Sequence, residues 1–241
     1  MAVAALYDIH GNLPALEAVL TEIDALGVDA VVVGGDVLWG PMSVEALDVL
    51  LGLDPDTFFI RGNADREVVD GTNTDDWTGG EDWIAEVTRW CADQMTRDQR
   101  EIVAAWPETV RLEAAGAFFC HGSPRSDEEK ITTATGDDEL GTMLTGVIDP
   151  LVVCGHTHMQ FDRRVGEQRV VNAGSVGMPY EGRRGAFWAL IDHDVELRRT
   201  DYDFDTTAAM ILRSECPSAE EFARAVLAPL SREAALEAFS G

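Results

Sequence analysis

The first 65 residues alternate between short apolar runs and longer amphipathic stretches. Residues 3–7 form an unbroken apolar run that reads as a buried strand. Leu13–Leu26 then places Leu13, Leu16, Val19, Leu20, Ile23 and Leu26 on one face, the spacing of a helix. Asn12 is its expected N-cap, and Pro14 falls in the first turn, where a missing N–H costs little. Gly27 ends it. Ala30–Val33 is the next strand, Ser43–Leu51 the second helix, and residues 57–60 the third strand. Two β-α-β units with right-handed crossovers give a parallel sheet whose polar loops share one edge.

From residue 66 to about 112 the alternation stops. Trp77, Trp83, Trp90 and Trp106 crowd into this segment with a helical stretch at about 81–95. Thr96-Arg97-Asp98-Gln99 has the form of a capping box opening another helix, which Pro107 closes. The segment is expected to be a helical cap within a single domain spanning 1–241. Its tryptophans either pack the cap onto the body or offer a stacking platform, and packing is the simpler role. The sheet pattern resumes at Ala117–Cys120 and Leu151–Cys154, with a helix at about 137–147 between them. Residues 160–165 then pair with Gln168–Asn172, and Ala186–Ile191 with 196–200 across an Asp192-His193-Asp194 turn. An Ala-rich helical tail is expected over 206–241.

A chain of 241 residues is long enough to bury a sizeable core. Its formal charge of −26, with Lys130 the sole lysine, argues against a polyanionic partner. Nucleic-acid binding draws its affinity from Lys and Arg neutralising phosphates, so none is expected. No apolar stretch approaches the ~18 residues that span a bilayer, so no membrane partner is expected. The run before Asp8 is too short for a signal peptide. The four cysteines contain no C-x-x-C, and Cys120 and Cys154 fall in buried strands as small hydrophobes. A soluble cytoplasmic protein is the expectation.

Four of the five histidines lie in three short motifs, each following an apolar run. These are Asp8-Ile9-His10-Gly11-Asn12, Cys120-His121-Gly122-Ser123-Pro124 and Gly155-His156-Thr157-His158. Gly34-Gly35-Asp36 and Arg61-Gly62-Asn63-Ala64-Asp65 occupy equivalent places. Imidazole, carboxylate and amide oxygen together suit divalent metals of intermediate hardness. Any one motif could be an ordinary strand-end turn. Five in succession point to one site, with the strand ends converging on one edge of an open α/β sheet. A two-metal hydrolytic centre needs ions roughly 3.5–4 Å apart and a carboxylate between them. Asp36, isolated after three valines, suits that bridge. Asp8 and His10 can serve one ion together, Asn63 offers a neutral oxygen, and His121, His156 and His158 complete two nitrogen- and oxygen-rich spheres. His193, in its predicted turn, is expected to be exposed and uninvolved.

This succession resembles the signatures of the calcineurin-like metallophosphoesterase superfamily, and Asn172-Ala173-Gly174-Ser175-Val176 resembles a segment of its short prokaryotic branch. The resemblance implies an α/β (α+β) fold: a β-sandwich of two mixed sheets flanked by helices. It implies that Asp8, His10 and His158 hold one metal and Asn63, His121 and His156 the other, with Asp36 bridging. Asp36, Asn63 and His121 then take catalytic roles, and a hydroxide between the ions attacks phosphorus. Two divalent ions are implied, manganese first, with iron, zinc or nickel as substitutes.

Departures from the family pattern are informative. Many members carry a histidine after the Asn of the third signature, where it protonates the leaving group; here Ala64 stands there. Asp65, which would orient that histidine, is expected to cap the following segment, with its replacement by Asn changing the rate only modestly. Neither an Asp-Arg pair nor a tyrosine ligand follows Asp36, where Val37-Leu38-Trp39-Gly40 stands. The pattern resembles the branch often active on phosphodiesters. Asn12, Arg61, Arg66 and Arg125 are the candidate phosphate contacts, the arginines serving equally well as ion-pair partners. The expected function is metal-dependent hydrolysis of phosphodiester or phosphomonoester bonds in a small molecule. A non-catalytic metal-binding scaffold of the same fold is the alternative, and the complete ligand set speaks against it.

The charge balance carries its own test. In ~0.15 M salt an anisotropy titration with duplex DNA should show no appreciable binding, and micromolar affinity would overturn this expectation.

Overall fold

The computed structural model describes residues 1–53, 56–71 and 82–239. The first sheet contains β1 (Val3–Leu6), β2 (Ala30–Val33) and β3 (Thr57–Phe59), joined in parallel through α1 (Leu13–Leu26) and α2 (Ser43–Leu51). α3 (Asn63–Asp70), α4 (Asp82–Gln94) and α5 (Arg97–Ala104) follow, then the second sheet begins with β4 (Thr109–Leu112) and β5 (Ala117–Cys120). After α6 (Asp137–Met143) come β6 (Leu151–Cys154), β7 (Phe161–Val165) and β8 (Gln168–Asn172). The chain returns to the first sheet with β9 (Ala186–Ile191) and β10 (Val195–Thr200) and ends in α7 (Phe204–Arg213), α8 (Ala219–Leu227) and α9 (Arg232–Phe239). The sheet orders are β10-β9-β1-β2-β3 and β4-β5-β6-β8-β7, each mixing parallel and antiparallel pairs.

Side chains alternate across a strand, and here both faces are apolar because both are covered. Val3, Ala5, Tyr7, Ala30 and Val32 face the gap between the sheets, where they meet Phe119, Val153 and Ala173 of the second sheet. The Tyr7 hydroxyl crosses that gap to donate to the Val153 carbonyl at 3.1 Å. Ala4, Leu6, Val31 and Val33 point the other way, into a core shared with α1, α2 and the C-terminal helices. Cys120, Val152, Cys154 and Val170 lie beneath α6. All four cysteines are buried and unpaired.

The metal-type motifs therefore do not lie on one edge of a single open sheet, as the β-α-β reading alone suggested. They come from two sheets packed face to face, the sandwich implied by the family resemblance. Strands buried on both faces look alike in sequence, so their apolar runs do not reveal which sheet each joins.

Local signals translate closely. Asn12 Oδ1 accepts from Ala15 N at 3.3 Å to cap α1, and Gly27 closes it with φ +66°. Thr96 and Gln99 form the expected reciprocal cap of α5. The helix expected at 81–95 is α4, while Trp77 and Glu81 lie outside the described residues. Residues 109–112, read as the end of the cap, are an edge strand antiparallel to β5. The helix expected at 137–147 stops at Met143. Trp106 stacks on Phe59 at 4.8 Å, which packs the segment onto the body. Among the described residues no helix is long and apolar enough to cross a membrane.

Trp188 on β9 is the largest fully buried side chain, and its indole N–H donates to Thr200 Oγ1 at 2.9 Å. Trp188→Ala should cost about 3–5 kcal/mol of stability, read as a lower urea midpoint. An unchanged midpoint would contradict its central place in the packing.

Candidate metal centre

Each candidate ligand stands where a strand gives way to a loop. Asp8 and His10 follow β1, Asp36 follows β2, Asn63 opens α3 after β3, His121 follows β5, and His156 and His158 follow β6. Five of these seven, Asp8, His10, Asp36, His156 and His158, have φ between +46° and +64°. Left-handed backbone is uncommon outside glycine and concentrates at sites where surrounding structure holds it in place. The loops also approach one another closely. A Cβ on Gly62 would lie 2.1 Å from Asp36 Oδ1, so only glycine lets the β3–α3 turn pass this carboxylate.

The structure brings all seven side chains together. Donor atoms of Asp8, His10, Asp36 and His158 lie within 4.8 Å of one another, and so do those of Asp36, His121 and His156. Asp36 belongs to both groups. His121 Nε2 is 3.1 Å from Asn63 Oδ1 and 3.4 Å from Asp36 Oδ2, which brings Asn63 to the second group. Asp8 Oδ1 lies 3.4 Å from His158 Nε2 and 3.9 Å from His121 Nε2, between the two.

Backbone carbonyls orient all four rings. His10 Nδ1 donates to Trp39 O at 3.3 Å, His121 Nδ1 to Gly34 O at 2.9 Å, and His158 Nδ1 to Met178 O at 2.7 Å. His156 is turned the other way, with Nε2 donating to Glu128 O at 3.2 Å. Each bond occupies one ring nitrogen and turns the opposite nitrogen inward, where a neutral ring offers a lone pair to a metal. With both Nδ1 atoms turned to carbonyls, His10 Nε2 and His158 Nε2 face each other at 3.2 Å, two lone pairs opposed when both rings are neutral. Asp8 Oδ1 is likewise buried with no hydrogen-bond donor. Opposed lone pairs and an orphaned carboxylate oxygen fit a cation between them, and the nitrogen–oxygen donor set fits a divalent metal.

The charges agree. Burial, and then repulsion from His158, pulls His10 down to about 4; burial and then His121 does the same to His156. Both rings are neutral at physiological pH, as ligation requires. Burial raises the carboxyls of Asp8 and Asp36, but the imidazoles around them outweigh it and hold both below their ordinary value. Burial would also lower His121, yet Asp36 and Asp8 draw it up to about 10. The carboxylates demand positive charge at this point, which a metal ion held there would supply.

The other sequence candidates are engaged elsewhere. Asn12 spends its oxygen on the α1 cap and its amide N–H groups on Gly177 O and the Tyr202 hydroxyl. Arg61 reaches Ala104 O and Glu108, away from the cleft. Arg125 pairs with Glu129 at the surface. Arg66 binds Asp127 and Glu128, the residue whose carbonyl holds His156. Asp65 does cap α3, accepting from Gly62 N at 3.1 Å, but it also accepts from Asp36 N at 2.8 Å and Leu38 N at 2.9 Å. It anchors the loop that carries Asp36, a tertiary role that the expectation of a simple cap missed. His193 is fully exposed in its turn.

Ala64, singled out in the sequence at the leaving-group position, does line the cleft, but sequence reasoning missed its other walls. Trp39, Glu67, Ile84, Met178 and Tyr180 line it beside the ligands. Glu67 lies one helical turn beyond Ala64, so its position becomes legible only once α3 is seen. Tyr180 stacks on His158 with ring centroids 4.6 Å apart.

Known proteins place this geometry in context. The model of the calcineurin-like phosphoesterase superfamily domain matches residues 1–194. Phosphodiesterase YfcE of Escherichia coli K12 is 28% identical over 197 residues, covering 78% of this chain and 85% of its own. The crystal structure of a metallophosphoesterase from Sphaerobacter thermophilus shares the fold, with a TM-score of 0.78 at 24% identity over 95% of this chain and 99% of that one. A hypothetical protein of Pyrococcus horikoshii matches at 0.79 and 22%, over 95% and 98%. The buried histidine and carboxylate loops thus sit in the frame that this family shares, and the chain belongs to the calcineurin-like phosphoesterase superfamily.

Proposed function

We propose that this chain hydrolyses phosphoester bonds of a small molecule at a centre of two divalent metal ions that share Asp36. Membership of the family makes it a hydrolase acting on ester bonds. The observation supporting a dinuclear centre is that two groups of donor atoms have Asp36 in common. Two such ions, when bound, supply a hydroxide nucleophile and positive charge against the phosphoryl oxygens. Manganese is the proposed working ion, in keeping with ligands that include no thiolate.

The chain's own residues prepare this chemistry. Asp8 and Asp36 bring the negative charge that draws cations into a buried site, while His10, His121, His156 and His158 are aimed by carbonyls. Asp36 Oδ1 accepts from Ala64 N at 2.9 Å, so the turn after β3 holds the shared carboxylate in place. The methyl of Ala64 cannot give a proton to a leaving group. A diester preference is proposed on that basis, and the relative named phosphodiesterase supports it. The alternative of a non-catalytic scaffold is disfavoured because no ligand position has decayed. The acidic surface favours a small phosphoester over a nucleic acid.

Protein saturated with Mn²⁺ should carry a metal-to-chain ratio near two by elemental analysis, and a ratio of one would sink the dinuclear centre. Asp36→Asn should abolish turnover and reduce that ratio, since it removes a charge that two cations share. Near-normal rates in this variant would show that Asp36 is not the bridge.

Leaving-group chemistry gives a second test. General-acid help is worth roughly 10²–10⁴-fold, so hydrolysis without it should favour esters whose leaving group is already a weak base. A series of substituted phenyl phosphodiesters should give a steep dependence of rate on leaving-group pKa, shallower in Ala64→His. A shallow, equal slope in both proteins would mean that another group already supplies the proton.

A further inference from the structure

We propose that the cleft between α4, α8 and the loops of Trp39 and Tyr180 receives a flat, uncharged aromatic group carried by the phosphoester substrate. This rests on the phosphoester reading of the adjoining metal centre. Trp39, Ile84, Met178 and Tyr180 line both spaces, so a group attached to a phosphate at the metals enters the second space directly. The metal cleft itself holds about 50 Å³ and the adjoining one about 260 Å³. An apolar cavity of roughly 150 Å³ suffices for benzene.

The walls select the occupant. Trp39, Trp83 and Phe222 pack against one another at ring-centroid distances of 5.3–6.5 Å, which makes a rigid aromatic surface. Met178, Tyr180 and Trp83 are half-buried and keep part of their surface exposed to an incoming group. The charged side chains on the lining, Glu221 and Arg224, pair with each other, so a second phosphate meets a cation already engaged. Burial of a flat apolar ring is what this surface rewards.

Trp39 ties the two spaces together. It holds φ +68°, a costly conformation for a bulky residue. In that conformation its carbonyl accepts from His10 Nδ1 while its indole N–H donates to Ile84 O at 3.4 Å. One strained residue thus orients a metal ligand and builds the pocket wall. Phe222, Ala225 and Leu230 lie beyond residue 194, where the match to the family model ends. The C-terminal segment thus completes a wall that the matched residues begin with Trp39, Trp83, Met178 and Tyr180.

The test is calorimetric binding to Mn²⁺-loaded protein of inorganic phosphate, methylphosphonate and phenylphosphonate, none of which needs turnover. Phenylphosphonate should bind about tenfold or more tightly than methylphosphonate. Trp83→Ala, which removes a wall, and Ala225→Leu, which fills the space, should each erase most of that advantage. Their unchanged affinity for methylphosphonate would show that both remain folded with the metal centre intact. Equal binding of the two phosphonates by wild type, or an advantage surviving in both variants, would overturn the pocket. Failure of inorganic phosphate to bind would instead overturn the phosphoester reading. The phosphonate isostere of adenosine 5′-monophosphate separates two sources of the ring: tighter binding than phenylphosphonate assigns a nucleobase, and weaker binding assigns a plain aryl group.

Discussion

Asp8 and Asp36 are carboxylates held out of solvent, and the arrangement around them answers to that concentration of charge. Burying an ionised group costs several kcal/mol unless hydrogen bonds and opposite charge offset it. Part of the offset comes from backbone: His156 N donates to Asp8 Oδ2 at 2.9 Å, and Ala64 N to Asp36 Oδ1 at 2.9 Å. The remaining oxygens face the imidazole rings of His121 and His158, and a divalent cation held there would complete the balance. The left-handed ligand residues and the closely passing glycines follow from this demand, because they let so many polar groups converge without filling the space between them.

Support for the ligands is distributed through backbone groups. Gly34, Trp39, Glu128 and Met178 each lend a carbonyl to one histidine, so each ring's orientation depends on a loop from another part of the chain. Asp65 does the same for Asp36 by binding its N–H and that of Leu38. Burial, and then the charge of Asp36, pushes the Asp65 carboxyl up to about 7, against the pull of the Leu38 and Gly62 N–H groups. The anchor therefore sits under electrostatic tension with the residue it positions.

Outside the matched domain, the C-terminal helices reach back to the site. Arg232 pairs with Glu181, whose carboxylate also accepts from Gln160 N, and Gly182 N donates to Leu230 O. These contacts brace the loop carrying Met178 and Tyr180, one residue holding His158 through its carbonyl and the other stacked on its ring. The tail and α4 thus shape the approach to the ligands, while the two sheets hold the ligands themselves.

The sequence determined much of this locally. Apolar runs ending in Asp, Asn or His marked the strands and seven donor residues, because strand burial and metal chemistry each leave a short-range signature. Caps at Asn12 and Thr96 were legible for the same reason. Helix α3 was not, since Asn63-Ala64-Asp65-Arg66 reads as a polar turn until Asp65 is seen closing it. The arginines gave no sign of their partners: Arg66 lies 61 residues from Asp127, and an ion pair over that separation leaves no pattern along the chain. Nor could the motifs say that two sheets, and not one edge, present the ligands. Only tertiary structure decides which doubly buried strands pair, which carbonyl faces which ring, and that Trp39, Trp83 and Phe222 meet beside the candidate metal centre. Those outcomes arise from packing between distant segments, which hydrophobic periodicity permits but does not specify.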